Sequence, residues 1–295
     1  MTEFKSGFVA IIGRPNVGKS TLLNRIIGEK LSIISNKPQT TRNNIKAIYN
    51  GENCQIIFMD TPGIHKPKHK LGEYMVSSAQ SVLKEVDVVL FITTPQEDLH
   101  PSDKHIIERL KQTKVPIFLV INKVDSVKKE VVAKTIESYT KEYNFKEVIP
   151  ISALIGNNID VLLKVLISNL PNGPQYFPPD IMTDQPEKFI VSEIIREKLL
   201  HYLKDEVPHG TAVEIVRMFD DKETGITNID ANIYCEKDSH KAIIIGKGGA
   251  MLKKIGQDSR IDIERFLGNK VFLQLWVRVK KDWRDSPSLL KYLGY

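Results

Sequence analysis

Short apolar runs alternate with longer mixed segments through the first 170 residues. Several of the runs are rich in Val and Ile throughout, which is typical of strands covered on both faces. We therefore predict strands at residues 8–12, 45–49, 55–59, 86–92, 115–121 and 148–151. The mixed segments carry apolar residues at helical spacing, which predicts helices at residues 20–27, 71–85, 102–112, 130–143 and 159–169.

This alternation of strand and helix predicts an α/β domain with a doubly wound, mostly parallel sheet and helices on both faces. One strand pair should be antiparallel, because the run at 45–49 and the run at 55–59 are joined by a short polar hairpin signal, NGEN. Residues 171–183 hold four prolines, which favour a stiff linker. We therefore predict a first domain over residues 1–170 and a second over residues 184–295.

The second domain has a different rhythm, which predicts a smaller α+β fold. The elements that we expect are a helix at 187–203, strands at 212–220 and 227–236, a glycine turn, a helix at 251–266 and a strand at 270–279. Trp276 falls in the last, alternating strand, so we expect it to be half-buried in the core.

Composition supports two globular domains rather than a disordered or fibrous chain. The 295 residues are 41% hydrophobic and 26% charged, which is ordinary for a globular protein. No apolar run approaches the roughly 18 residues of a membrane span, and the first residues lack the apolar core of a signal peptide. Cys54 and Cys235 match no metal spacing, so we expect reduced thiols and a cytoplasmic protein.

Charge changes sign within the second domain. Residues 184–236 carry 6 basic and 12 acidic side chains, whereas residues 237–281 carry 11 basic and 4 acidic ones. A basic face of this kind suits a polyanion, although charge alone does not separate it from an ordinary solvated surface.

A phosphate-binding motif follows the first predicted strand directly and opens a helix. The segment fits GxxxxGK[ST] and consists of Gly13, Arg14, Pro15, Asn16, Val17, Gly18, Lys19 and Ser20. Its glycines let backbone N–H groups close around phosphate oxygens, and the helix N-terminus favours the negative charge. Lys19 should reach the β- and γ-phosphates, and the Ser20 hydroxyl should ligate Mg²⁺.

Three further segments stand at the carboxyl ends of predicted strands, where open α/β sheets form their binding crevice. Asp60-Thr61-Pro62-Gly63 offers a carboxylate for Mg²⁺ and an N–H for the γ-phosphate. In Asn122-Lys123-Val124-Asp125, the Asp125 carboxylate can accept from two adjacent guanine donors, which adenine lacks. At Ser152-Ala153-Leu154, a backbone N–H can bond the guanine carbonyl.

These segments resemble the translation-factor-like class of P-loop GTPases. The predicted GTP contacts are residues 13–20, Thr21, Asp60, Thr61, Pro62, Gly63, Asn122, Lys123, Asp125, Ser152, Ala153 and Leu154. The resemblance implies a switch threonine that closes on Mg²⁺ and the γ-phosphate; Thr40 and Thr41 are both candidates, and we favour Thr41. Lys19, Thr41 and Gly63 are thus the predicted catalytic residues, and Ser20, Thr41 and Asp60 the predicted Mg²⁺ ligands.

Two positions of the motifs bear on the rate of hydrolysis. Ile64 occupies the place where many GTPases carry a glutamine that orients water, so we expect slow hydrolysis. Asn16 resembles the asparagine of GTPases in which K⁺ sits beside the phosphates, which leads to the hypothesis that K⁺ stimulates turnover.

A second motif lies in the basic part of the chain. An apolar segment is followed by GxxG and a basic amphipathic segment, and the predicted RNA contacts are Ile243, Ile244, Ile245, Gly246, Lys247, Gly248, Gly249, Lys253 and Lys254. Glycines allow close approach of a nucleic-acid strand, lysines contact phosphates, and the isoleucines offer apolar surface to unstacked bases. The arrangement resembles a bacterial (type II) KH domain with its GxxG helix pair.

A P-loop GTPase followed by a KH domain is similar to the Era GTPase family over nearly the whole chain. This resemblance implies a monomeric switch that binds GTP or GDP, contacts the 3′ end of 16S rRNA and assists assembly of the small (30S) ribosomal subunit. It also implies peripheral association with the cytoplasmic face of the cell membrane, for which the sequence offers no anchor of its own. Two alternatives are a tRNA-modification enzyme with an accessory GTPase and a binding module with an inactive nucleotide site.

Overall fold

The computed structural model describes residues 3–35, 37, 40–62 and 69–295. Contacts divide the chain into two compact units. The first comprises Met1–Ser32, Thr41–Lys66 and Tyr74–Asp184, and the second comprises Ile33–Thr40, Pro67–Glu73 and Gln185–Tyr295. No helix among the described residues is both long and apolar enough to cross a membrane.

The first unit is an α/β domain, as predicted. Its strands are β1 Lys5–Ile12, β2 Ile45–Gly51, β3 Cys54–Asp60, β4 Val88–Thr93, β5 Ile117–Ile121 and β6 Glu147–Pro150. Its helices are α1 Lys19–Ile27, α2 Lys70–Val82 (which begins among residues of the second unit), α3 Pro101–Leu110, α4 Lys129–Glu142 and α5 Ile159–Asn169.

The six strands form one sheet in the order β2-β3-β1-β4-β5-β6. Only the β2–β3 pair is antiparallel, which confirms the predicted hairpin. Every residue of β3, β4 and β5 is buried, as expected for strands covered on both faces. The carboxyl ends of the parallel strands therefore meet along one edge of the sheet.

The proline-rich segment that we predicted to be a linker is packed along this sheet. The Ile48 N–H donates to the Met182 carbonyl at 2.8 Å, and the Thr183 hydroxyl donates to the Lys46 carbonyl at 2.7 Å. The Gln55 amide donates to the Phe177 carbonyl at 2.8 Å. Because β2 is an edge strand, its outer backbone groups need partners, and residues 171–183 supply them. The compact unit accordingly extends to Asp184.

The second unit is a smaller α+β domain. It contains α6 Glu187–Tyr202, β7 Ala212–Asp220, β8 Thr227–Cys235, α7 Asp238–Ile245, α8 Ala250–Leu267, β9 Val271–Val279 and α9 Pro287–Tyr292. The sheet order is β7-β8-β9, with β7 antiparallel and β9 parallel to β8. One core joins α6, α7 and α8 to one face of this sheet. The GxxG helix pair is α7 and α8, with a 3₁₀ turn, Lys247–Gly249, between them.

Candidate functional site

The phosphate loop lies between the end of β1 and the start of α1, and its glycines are required by close neighbours. A Cβ atom at Gly18 would stand 2.2 Å from Asn122 Nδ2, and the φ angle there is +99°. A Cβ atom at Gly13 would stand 2.3 Å from the Ile92 carbonyl oxygen. Both positions therefore exclude any other residue. The backbone of the loop runs into the N-terminus of α1, where the helix dipole and the free N–H groups favour a bound anion.

Lys19 points into this loop. Its Nζ atom donates to the carbonyl oxygens of Gly13 at 3.0 Å and Arg14 at 3.1 Å. Burial lowers the pKa of Lys19, while the nearby Asp60 carboxylate acts in the opposite direction. The ammonium group is thus held where the loop would enclose phosphates, in surroundings that favour an added anion.

Oxygen ligands suited to Mg²⁺ gather beside the loop. Asp60 Oδ2 accepts from the hydroxyls of Ser20 at 3.1 Å, Ser32 at 2.8 Å and Thr41 at 3.5 Å. The Ser20 and Thr41 hydroxyl oxygens are 3.3 Å apart. Asp60 Oδ1 is buried and, within the described part of the chain, has no hydrogen-bond partner. Burial raises the pKa of Asp60, and the charge of Lys19 opposes that rise.

This donor set fits Mg²⁺, which prefers carboxylate and hydroxyl oxygens and would satisfy the unpartnered Asp60 oxygen. The three predicted ligands, Ser20, Thr41 and Asp60, are brought together. Of the two candidate threonines, only Thr41 reaches the cluster; the Thr40 hydroxyl donates to the Lys37 carbonyl at 2.6 Å. Gly63 and Ile64 lie outside the described residues.

The predicted base-binding segments meet through Asn122. Its Nδ2 donates to the Val17 carbonyl at 2.8 Å, and its Oδ1 accepts from the Ala153 N–H at 2.9 Å. The Lys123 ammonium donates to the Asn16 carbonyl at 2.8 Å, so the lysine stem extends toward the phosphate loop. Asp125 lies exposed in the short 3₁₀ turn that follows. The Ala153 N–H, which belongs to the segment predicted to contact the base, thus ties that segment to Asn122.

The Arg14 side chain does not face the phosphates. Its Nε atom is 3.2 Å from Asp103 Oδ2, and its Nη2 donates to the Thr94 hydroxyl at 2.7 Å. Asp103 is buried and also accepts from Thr93 at 2.7 Å and Tyr139 at 2.6 Å. The Arg14 guanidinium is held by the buried Asp103 carboxylate, so only the backbone of Arg14 remains as a predicted GTP contact.

Sequence reasoning missed three residues that position the site. Asn24, within α1, accepts from the N–H groups of Leu31 at 3.1 Å and Ser32 at 2.9 Å, and this fixes the chain where Ser32 reaches Asp60. Arg25 donates to the Ala153 carbonyl at 3.2 Å and to the Leu154 carbonyl. Nothing in the sequence marked Asn24 or Ser32, since Asn24 follows Ser20 and Thr21 on a mixed helix face and the role of Ser32 depends on its contact with the distant Asp60.

In the second unit, the GxxG turn has the backbone that only glycine adopts readily. The φ angles are +73° at Gly246, +59° at Gly248 and +80° at Gly249. Lys247 is exposed at the tip, and Lys253 is exposed one turn into α8. These residues present a basic turn with little side-chain bulk, which allows a nucleic-acid backbone to approach.

One predicted RNA contact is wrong. Ile244 is 0% exposed and belongs to the core, because the helical turn of α7 directs it inward, whereas Ile243 is 49% exposed. Ile245 is partly buried and packs against the same core. Lys254 is also engaged: its ammonium lies 4.5 Å from the centroid of the Tyr202 ring.

A cleft of about 440 Å³ runs beside the GxxG turn, between α8 and β9. Its walls include Gly249, Leu252, Lys253, Arg260, Phe272 and Leu275. Apolar and basic side chains thus line one cleft, which suits unpaired bases with their phosphates outward.

The two tryptophans lie in different environments, and Trp276 does not lie in the core as we expected. Trp283 is fully buried and donates through Nε1 to the Gly210 carbonyl at 2.9 Å. Trp276 is 42% exposed, since Val271 and Val277 of the same strand enter the core and strand alternation directs Trp276 to the other face.

Comparison with known proteins finds matches for both domains. A family model described as a 50S ribosome-binding GTPase matches residues 8–123, and a KH domain model matches residues 206–284. GTPase Era of Clostridium botulinum (strain Eklund 17B / Type B) is 60% identical over 292 residues, which is 99% of both chains. GTPase Era of Alkaliphilus metalliredigens is 58% identical over 293 residues, again 99% of both chains.

Two solved structures cover 99% of this chain and 99% of their own, each with a TM-score of 0.95. One is an Aquifex aeolicus Era variant bound to GDP·AlF4⁻, at 41% identity. The other, at 42% identity, is Era in complex with MgGDPNP and nucleotides 1506–1542 of 16S ribosomal RNA.

Proposed function

This chain belongs to the GTPase Era family, and from that premise we propose that it is a nucleotide-controlled switch that binds the 3′ end of 16S rRNA and assists assembly of the small ribosomal subunit. It is a GTPase followed by a KH domain. The observation that carries the proposal is the presence of both sites in one chain: a phosphate loop with gathered oxygen ligands, and a basic GxxG cleft.

In the proposed mechanism, the phosphate loop encloses the β- and γ-phosphates and Lys19 neutralises their charge. Ser20, Asp60 and Thr41 would hold Mg²⁺, which supplies charge neutralisation to the phosphates when bound. Asn122 and Asp125 select guanine. Because Ile64 cannot orient a water molecule by hydrogen bonding, basal hydrolysis should be slow until another group supplies that positioning.

The position of the switch threonine supports coupling between nucleotide and RNA. Thr41 belongs to the first unit, and its neighbour Thr40 belongs to the second. Within the second unit, Arg196 of α6 donates to the Thr40 carbonyl and forms a buried ion pair with Glu193. A displacement of Thr41 would therefore act directly on Thr40, a residue held by the KH unit. By linkage, RNA must change nucleotide affinity by the same factor.

The test is the affinity of the full chain for a single-stranded RNA matching the 3′ end of 16S rRNA, with GDPNP and with GDP at fixed salt. We expect tighter binding with GDPNP. Lys247→Glu, in the GxxG turn, should weaken binding with both nucleotides, whereas Lys129→Glu, on α4 of the first unit, should change neither. Equal affinity with GDPNP and GDP would remove the switch from the proposal, and no binding in either state would remove the RNA function.

We also propose that K⁺ stimulates hydrolysis through Asn16. Asn16 has a φ angle of +66°, which is an uncommon backbone conformation for a residue other than glycine. The Asn16 carbonyl accepts a hydrogen bond from the Lys123 ammonium. Turnover in K⁺ should exceed turnover in Na⁺ at matched ionic strength, and Asn16→Ala should abolish the difference. Equal rates in the two salts would contradict the proposal.

A further inference from the structure

Behind the phosphate loop lies a buried carboxylate that is distinct from the predicted metal ligands. Asp103 of α3 is 0% exposed. Its Oδ2 atom accepts from the Thr93 hydroxyl at 2.7 Å and from the Tyr139 hydroxyl at 2.6 Å. The Arg14 Nε atom donates to the same oxygen at 3.2 Å. Three donors on one oxygen hold the carboxylate in one orientation, and a buried charge of this kind is tolerated because it is paired and hydrogen-bonded.

The Asp103 side chain is not needed to begin its own helix. The α3 helix starts at Pro101, and His100 Nδ1 accepts from the Ser102 N–H at 3.1 Å, which caps the helix. Asp103 lies in the first turn, where the helix dipole stabilises a negative charge. Its side chain is directed toward β4 and α4, where Thr93 and Tyr139 lie. The role of this carboxylate is therefore defined by the groups that it holds.

Of the three donors, Arg14 is the one that belongs to a loop. Thr93 is the last residue of β4 and Tyr139 lies in α4, and both are fully buried. Arg14 lies in the phosphate loop, 89 residues before Asp103, and its Nη2 atom also donates to the Thr94 hydroxyl at 2.7 Å. A strand and a helix thus fix the carboxylate, and the carboxylate in turn fixes the loop.

The residue that Asp103 holds by its side chain holds Lys19 by its backbone. Lys19 Nζ donates to the carbonyl oxygens of Arg14 at 3.1 Å and Gly13 at 3.0 Å. The loop also lies directly on the end of β4, since a Cβ atom at Gly13 would stand 2.3 Å from the Ile92 carbonyl oxygen. A continuous connection therefore runs from the Asp103 carboxylate, through Arg14, to the Lys19 ammonium.

We propose that Asp103 is a positioning residue for nucleotide binding, which acts through Arg14 to set the phosphate loop and the Lys19 ammonium in place for the phosphates. The inference rests on the proposed role of Lys19 in the nucleotide site. A loop that is held in its binding conformation before the nucleotide arrives has less freedom to lose, so the nucleotide binds more tightly. Because the loop encloses the β-phosphate of GDP and of GTP alike, both nucleotides should gain by a similar factor.

The experiment uses Arg14→Ala in the full chain and measures the dissociation constants of GDP and GDPNP together with KM and kcat for GTP. Loss of a hydrogen bond to a charged group corresponds to a change in affinity of about 10- to 100-fold. We expect both dissociation constants and KM to rise by about this factor, with kcat within about threefold of the parent. A smaller folded fraction would instead lower kcat at an unchanged KM, so this split separates positioning from a loss of stability.

A second variant tests whether the carboxylate acts through Arg14. Asp103→Asn keeps the size of the side chain and removes its charge, and it should raise both dissociation constants by about fivefold or more, because the hydrogen bond from Arg14 loses its charged acceptor. In the double variant, the rise should match that of Arg14→Ala within about twofold. Factors that multiply in the double variant would show that Asp103 affects the site by another route, and would overturn the proposal.

Glu108→Gln is the matched control for Asp103→Asn, because it makes the same change from carboxylate to amide on the same helix. Glu108 pairs with Lys111 at 2.7 Å, and both side chains are exposed. This control should leave nucleotide affinity within about twofold of the parent. Unfolding in urea is measured for each variant, so that nucleotide binding is compared under conditions in which every variant is folded.

The outcomes separate this inference from the proposed function. Unchanged affinity for GDP and GDPNP in Arg14→Ala, or a loss of affinity there that Asp103→Asn does not share, would overturn the positioning role and keep the nucleotide site. A fall in kcat at unchanged KM would show that the network only maintains the fold, and would likewise overturn it. Lys19→Ala should abolish detectable GDP binding, and binding as tight as in the parent would reject the proposed phosphate site itself.

Discussion

Replacement of Ser32 by alanine tests whether the ordering of Asp60 controls metal binding. Ser32 is fully buried, and its hydroxyl makes the shortest of the three hydrogen bonds to Asp60 Oδ2, at 2.8 Å. The chain around Ser32 is held independently by Asn24, so the backbone should stay in place when the hydroxyl is removed. Ser32→Ala therefore removes one oriented donor and little else.

The magnitude follows from the charge of the acceptor. A hydrogen bond to a charged group contributes about 1.5–3 kcal/mol, and loss of a residue that orients a metal ligand lowers metal affinity by about 10- to 100-fold. Ser20 and Thr41 would ligate the metal themselves, so Ser32 is the one hydroxyl of the three that remains free to hold the carboxylate. We expect the Mg²⁺ concentration that half-saturates GDPNP binding to rise by about 10- to 100-fold.

The assay is a Mg²⁺ titration of binding of a fluorescent GDPNP analogue. At saturating Mg²⁺, the affinity of Ser32→Ala for the nucleotide should return to within about twofold of the parent, because the phosphate and base contacts are intact. Ser6→Ala is a matched control: Ser6 is also fully buried in the first unit, and its hydroxyl has no hydrogen-bond partner among the described residues. An unchanged Mg²⁺ midpoint in Ser32→Ala, or an equal shift in Ser6→Ala, would refute the reasoning.

Three further predictions concern the base, the loop and the KH core. Asp125→Asn removes the carboxylate that accepts from two guanine donors, so competition binding should show a shift from GTP toward XTP of about 10²-fold or more; an unchanged preference would contradict guanine selection by Asp125. Gly18→Ala brings a Cβ atom to 2.2 Å from Asn122 Nδ2 at a φ of +99°, and calorimetry should detect no GDP binding; retained binding would show that the loop relaxes. Ile244→Ala should lower the free energy of unfolding in urea by about 2–5 kcal/mol, whereas Ile243→Ala should change it by less than about 0.5 kcal/mol and weaken RNA binding; similar stability losses would contradict the assigned orientations.

The nucleotide site could be predicted closely because its chemistry depends on sequence order. Each motif directly follows a strand, and parallel strands bring their carboxyl ends to one edge, so the spacing of Gly13, Asp60 and Asn122 along the chain already implies a common crevice. The apolar runs of β3, β4 and β5 also predicted that these strands are buried on both faces. A strand that is covered on both faces carries few polar side chains, so its sequence does not alternate.

The proline-rich segment shows where local composition misleads. Prolines at residues 171–183 predicted a linker, because they exclude helix and central strand. They do not exclude packing along an edge strand, and the Met182 carbonyl accepts a hydrogen bond there from the Ile48 N–H of β2. Whether such a segment spans free space or covers an edge depends on which backbone groups of the sheet remain unpaired, and that is a property of the assembled fold.

By itself, the sequence determined the two domains, the phosphate loop, the base-selecting quartet and the GxxG turn. These features follow from residue types, from motif spacing and from the apolar periodicity that distinguishes strands from helices. Tertiary structure alone decided that Ser32 holds Asp60, that Asp103 holds Arg14, that Ile244 is core and that Trp276 is exposed. Each of these depends on which distant residues become neighbours, or on a rotation of one residue about a helix or strand. Local patterns specify an element and leave open what the rest of the chain brings against each of its sides.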